Sequence, residues 1–277
     1  MECEKSIDEL YHIFEKTIPK ENLNDCLFAI SSPITYKELK FYPIKVKYYQ
    51  FFNIVASVFS MTKYDSGLPE CMGMNMLQFL FYQDKEKGID NASVALPLLQ
   101  ILLEMCMRIP TFNDEGKENI YFWRDGKKCY MNIFGKDYNW QDYEEIRKII
   151  AAQNGIELVD YTIHPDVRKL IEEKKRLRAA SEENKIGTFE ELIDSIMLAS
   201  GQSEDAVLNM TVRRFINLIQ RYDIMLSYEL YTQLSPYIDK KDKKGIVRWN
   251  GAIKKDNDYM SHLVKASDLE DKFKKIQ

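Results

Sequence analysis

Between Ile120 and Phe134 two aromatic runs, Ile120-Tyr121-Phe122-Trp123 and Cys129-Tyr130-Met131-Asn132-Ile133-Phe134, flank Arg124-Asp125-Gly126-Lys127-Lys128. An Asp-Gly pair between such runs is a hairpin signal, because the tight turn needs backbone with positive φ. No other stretch constrains the fold as strongly, since it requires an antiparallel β-element in a chain whose remaining periodicity is mostly helical. Upstream, Leu27–Ile30, Pro33–Tyr36 and Phe41–Val46 combine β-prone residues with prolines, which suits short edge strands or an extended segment.

Helical spacing dominates elsewhere. Ile7, Leu10, Tyr11 and Phe14 form a first stripe, ended by Pro19. Tyr48, Phe51, Phe52, Val55, Val58 and Phe59 form a second, read as core. After a turn at Asp65–Pro69, a helix is expected through Met74, Leu77, Phe79, Leu80 and Phe81, closed by Gly88. Ala95–Met107 is a strongly apolar helix with Pro97 in its first turn. Asn139 or Asp142 caps a helix through Ile146, Ile149 and Ile150 that stops before Gly155. Thr188 and Glu191 form a capping box, Gly201 ends that helix, and Ser203 begins the next. A last helix runs from Thr211 toward Leu234 and ends at Pro236.

The fold class expected is therefore α+β and predominantly helical, with a small antiparallel β-hairpin in a mixed N-terminal lobe and an all-helical C-terminal lobe. The boundaries fall at 1–160 for the mixed lobe, 161–187 for a charged connecting helix, 188–238 for the helical lobe and 239–277 for a basic, partly ordered tail. The connector reads as a helix because opposite charges pair four residues apart beside a thin apolar seam at Val167, Leu170, Ile171 and Leu177.

Composition narrows the function classes. The 277 residues carry 39 Lys+Arg against 43 Asp+Glu, a net charge of −4, with 45% hydrophobic residues. That length and apolar content allow a substantial core in one large or two modest domains. The charge balance argues against a dedicated nucleic-acid binder. No run reaches the roughly 20 apolar residues of a membrane span, and Met1–Lys5 lacks the apolar stretch of a signal peptide, so a cytoplasmic protein is expected. Five widely spaced cysteines (Cys3, Cys26, Cys71, Cys106, Cys129) without a CxxC pair fit a reducing compartment. The three histidines, His12, His164 and His262, show no metal-ligand spacing. Phosphate-loop, dinucleotide, zinc-protease, serine-hydrolase and EF-hand motifs are all missing. The reading is of a non-enzyme with no cofactor, metal or catalytic residue.

Two residue sets are candidates for partner binding. Met72, Met74, Met76, Met105 and Met107, with Phe79, either line an adaptable groove or fill the core, since thioethers suit both. Lys240, Lys241, Lys243, Lys244, Arg248 and Trp249 open a tail with 11 basic against 6 acidic residues, which could grip an acidic protein or a nucleic-acid backbone. The helix–Gly201-Gln202-Ser203–helix outline suggests a helix-turn-helix, but Glu204 and Asp205 stand where phosphates would approach.

Pro43-Ile44-Lys45-Val46-Lys47-Tyr48-Tyr49-Gln50-Phe51, then Met74–Leu80, Tyr138-Asn139-Trp140-Gln141-Asp142-Tyr143-Glu144-Glu145-Ile146, and Thr188–Leu234 with Met210-Thr211-Val212-Arg213-Arg214-Phe215 together resemble a known group. They look like proteins encoded beside the tail genes of bacteriophages and tail-like particles of Gram-positive bacteria, among them tail and baseplate-hub assembly chaperones. The resemblance covers roughly residues 40–238 and carries no catalytic motif. It implies a protein of the bacterial host cytoplasm that shields a tape-measure or hub protein during assembly. It leaves the oligomeric state open. Two other readings stand beside it: an interaction module acting on a defence protein, and a nucleic-acid binder using the basic tail.

Overall fold

A computed structural model describes residues 31–63, 69–86, 95–158, 170, 173, 187–237 and 250–251. By packing, the chain divides into two units, Met1–Ile216 and Asn217–Gln277.

In the first unit, β1 (Ile34–Tyr36) pairs antiparallel with β2 (Leu39–Phe41) around a turn at which Lys37 takes a φ of 52°. Strands this short hold only when packed on a core, and Ile34, Leu39 and Phe41 are all buried. A 3-10 turn (Val46–Tyr48) leads into α1 (Tyr49–Ala56), and a second one (Ser57–Phe59) closes it. Here the expected stripe divides. Phe52, Val55, Val58 and Phe59 are buried, whereas Tyr48 and Phe51 are exposed. The tighter winding of the 3-10 turn takes Tyr48 out of register with Phe52, and Phe51 lies about 100° around the helix from Phe52.

The helix expected through Met74 is two. α2 (Pro69–Met72) ends before Gly73, and α3 (Met76–Glu86) starts afresh at Asn75. Asn75 Oδ1 accepts from the Gln78 amide at 2.8 Å and Gln78 Oε1 accepts from the Asn75 amide at 3.0 Å, a reciprocal cap that the sequence reading passed over. α4 (Ala95–Met107) runs as expected and forms the centre of the core through Leu99, Leu102, Leu103 and Cys106.

The hairpin forms with a tighter turn than expected. β3 (Ile120–Asp125) and β4 (Lys128–Ile133) pair up to Asp125 opposite Lys128, so the turn is Gly126-Lys127, with Gly126 at a φ of 58°. A strand not foreseen, β5 (Lys136–Tyr138), pairs antiparallel with β4, giving sheet order β3-β4-β5. Its turn has Phe134 and Gly135 both at positive φ, and a phenylalanine hides that signal because Asn or Gly is the usual residue. Ile120, Met131, Ile133 and Tyr138 face the core. On the outer face, Trp123 stacks on Tyr130 with ring centroids 4.6 Å apart.

α5 (Trp140–Asn154) has Asn139 and Asp142 as a capping box and Gly155 at a φ of 72° as its end. α6 (Phe189–Ser200) has the expected Thr188–Glu191 box and stops at Gly201. Loss of that cap by Thr188→Ala lowers stability by about 1 kcal/mol, read as a shift of the urea midpoint at constant m-value. Ser203 caps α7 (Glu204–Asn209), which at six residues is too short for the recognition helix of a helix-turn-helix.

α8 (Val212–Leu234) begins on the core of the first unit. The Val46 amide donates to Met210 O at 2.9 Å and the Val212 amide to Ile44 O at 2.8 Å, a one-rung ladder centred on Lys45 and Thr211. Phe189 stacks on Tyr49 at 5.2 Å and meets Phe215 edge-on at 6.2 Å. Residues 187–216 are thus part of the first unit. The architecture is α+β and mostly helical, with two small antiparallel sheets among the described residues.

The second unit contains α8 from Asn217 onward and a 3-10 turn, Ser235–Tyr237, at Pro236. Leu226, Leu230 and Leu234 recur every four residues and are exposed, and Arg221 donates to Gly251 O. Among the described residues no helix is long and apolar enough to cross a membrane. The N-terminal stripe, the Asp65–Leu68 part of the turn, the Gly88 cap and nearly all of the basic tail and of the charged connector lie outside the described residues.

Candidate binding site

The proposed methionine groove does not assemble. Met76, Phe79 and Met107 are 2%, 1% and 6% exposed and belong to the core, because α3 and α4 turn those positions toward each other and toward the sheet. Met74 is partly buried against the same core. Met72 is 42% exposed on the short α2. Met105, partly buried, lines a concavity at the end of α4. Lys240, Lys241, Lys243, Lys244, Arg248 and Trp249 lie outside the described residues.

That concavity is an open groove of about 400 Å³ lined by Pro43, Ile44, Lys45, Lys47, Tyr48, Met105 and Arg108. Its floor is apolar and its rim carries three cations. The chain leaving β2 is extended at Lys45 and enters the 3-10 turn that carries Lys47, so both lysines stand on one edge. Lys45 Nζ donates to Asn209 Oδ1 at 3.1 Å, and Lys47 Nζ lies 5.2 Å from the Tyr48 ring centre. The opposite edge is the end of α4. Arg108 follows the last helical residue with a φ of 57°, the left-handed position where glycine is usual, while the Ile109 amide donates to Glu104 O. A side chain there costs about 1 kcal/mol. The Arg108 guanidinium lies over the Tyr42 ring at 4.2 Å.

Beyond the groove, Tyr48, Phe51 and Ile54 are 51%, 57% and 63% exposed. They follow one another three residues apart from the end of the 3-10 turn into α1, whose other side is core. Tyr48 belongs to both features, so groove and apolar row are continuous. The sequence signal for this site was present in two places. One is the cation–aromatic alternation Lys45-Val46-Lys47-Tyr48. The other is a helix ending in Arg108 where a glycine would be expected.

The strongest electrostatic cluster has a different task. Asp142, 6% exposed at the start of α5, accepts from Tyr36 Oη at 2.7 Å, pairs with Lys37 Nζ at 2.6 Å and accepts from the Asn139 amide at 3.2 Å. Burial raises its carboxyl, but the Lys37, Tyr36 and Asn139 bonds outweigh burial and hold it below the ordinary aspartate value. Through Tyr36 and Lys37 this carboxylate pins the first hairpin to α5. Burial also pushes the Cys106 thiol far above its usual range, so Cys106 packs as a small hydrophobe. Among the described residues, no group of His, Cys, Asp and Glu is placed to hold a metal ion.

No protein-family model matches the chain, and neither a curated protein nor a solved structure matches it.

Proposed function

We propose that the chain is a non-enzymatic phage tail or baseplate assembly protein that binds and shields another tail component during morphogenesis. The observation that carries the binding part is the exposed row Tyr48-Phe51-Ile54, continuous with the groove beside it. Scattered surface apolar residues need no explanation, but a row along one helix, joined to a concavity, suits a partner segment laid across it. Support for the tail assignment is the sequence resemblance over residues 40–238.

The test is genetic. Cells producing the particles are deprived of the chain and then supplied with wild type or the Phe51→Glu/Ile54→Glu variant. The expected result is incomplete tails in electron micrographs of the deletion, rescue by wild type and no rescue by the variant. Both positions are exposed, so the variant keeps its melting temperature. Normal particles from the deletion strain would contradict the proposal.

A further inference from the structure

Three cations line the groove and no carboxylate does. Among the described residues none of the three makes an ion pair: their partners are the Asn209 amide and the Tyr48 and Tyr42 rings, all neutral. Glu104, one turn before Arg108 on α4, is engaged by Gln100 Nε2 at 3.1 Å and Thr111 Oγ1 at 3.0 Å. Asn209 in turn donates from Nδ2 to the Asp205 carboxylate at 3.0 Å, so the three cations are positioned without a direct ion pair. Arg108 holds this place in a left-handed backbone conformation that glycine adopts without strain. The helix dipole favours a cation at the end of α4, yet it does not require one stacked on Tyr42 at the rim of a groove.

We infer that the groove receives the acidic side chains of an amphipathic partner segment, whose apolar side chains run along Tyr48, Phe51 and Ile54. This rests on the protein-binding reading above and names the partner's chemistry. Charge complementarity makes the occupant anionic, and the continuous apolar row makes it amphipathic. A nucleic-acid backbone fits less well, because α1 reads Tyr-Gln-Phe-Phe-Asn-Ile-Val-Ala and offers no cation where the phosphates would continue. Arg108 is the anchor, since its guanidinium gives a carboxylate two parallel donors.

The test uses the full chain and three fluorescent peptides with the same Leu/Phe helical face and flanks of Glu, Gln or Lys, alongside a labelled single-stranded oligonucleotide. The Glu peptide is expected to bind about tenfold or more tighter than the Lys peptide, with affinity falling as salt rises. Arg108→Gly weakens the Glu peptide by about tenfold while raising the melting temperature, a combination that a purely structural arginine would not give. Lys47→Gln weakens it in the same direction. Equal binding of all three peptides, lost on Phe51→Glu, would overturn the acidic assignment and leave the protein-binding reading in place. Failure of every peptide to bind would remove both. Tighter binding of the oligonucleotide than of the Glu peptide would overturn the inference in favour of a phosphate ligand.

Discussion

Replacing Phe79 by alanine lowers the stability of the first unit by about 3–5 kcal/mol. The ring is 1% exposed on α3, and that helix packs against α4, β4 and α5, so no surface side chain can move in to fill the space. Against a typical total of about 5–15 kcal/mol, this loss is large enough to leave a sizeable unfolded fraction at moderate temperature. Denaturant titration measures it directly. Met72→Ala is the contrasting case. Its side chain is 42% exposed, and its stability stays within about 0.5 kcal/mol of wild type. A large loss at Met72 together with a small one at Phe79 would mean that the core has been misplaced.

Asp142→Ala is expected to cost about 3 kcal/mol. It removes an N-terminal cap of α5, worth about 1 kcal/mol, and two charge-assisted bonds, while leaving the Tyr36 hydroxyl at a part-buried site. Lys37 loses less, because its side chain is 48% exposed and turns to water. The pH dependence follows from the direction of the shift. A carboxyl held below its unfolded value contributes stability above about pH 3.9, and that contribution disappears as pH falls through the folded value. Wild type therefore weakens below about pH 4, and Asp142→Ala weakens less across the same window. Tyr36 supplies the alkaline counterpart. Burial, then the Asp142 hydrogen bond and charge, push its phenol from 10.0 to about 12. A raised phenol stabilises fully below pH 10, and the contribution is lost as pH climbs toward 12. Melting temperatures of wild type and Asp142→Ala across pH test both arms. Parallel curves for the two proteins would sink this account of the cluster.

Most helix ends were legible from sequence because caps are local chemistry, although the Asn75–Gln78 cap, just as local, was not anticipated. Thr188 with Glu191, Asn139 with Asp142, Gly155 and Gly201 each satisfy backbone groups within a few residues, so no distant partner was needed to see them. The hairpin was legible for the same reason, although the two-residue turn sits at Gly126-Lys127 rather than across a longer loop. What escaped depended on tertiary position. Phe134 carries a turn that favours other residues, so β5 was hidden. Tyr48 and Phe51 look like core on a helical wheel, but the 3-10 turn before α1 brings Tyr48 to the surface and Phe51 lies about 100° around α1 from the buried Phe52. For the methionines, core filling was the more usual reading and a groove the open alternative, and packing of α3 on α4 puts Met76 and Met107 in the core. The groove joins Lys45 and Lys47 to Arg108, about 60 residues further along, and spacing along a sequence carries no information of that kind.

On the proposed reading, the chain works by holding a partner protein on the Tyr48-Phe51-Ile54 row. The most direct test is tagged purification from the producing cells, wild type and Phe51→Glu/Ile54→Glu side by side, with quantitative mass spectrometry of what co-elutes at moderate salt. The prediction is a stoichiometric tail or baseplate component with wild type that is lost with the variant, while both proteins melt at the same temperature. The same protein recovered with both, or no stoichiometric protein with either, would contradict it.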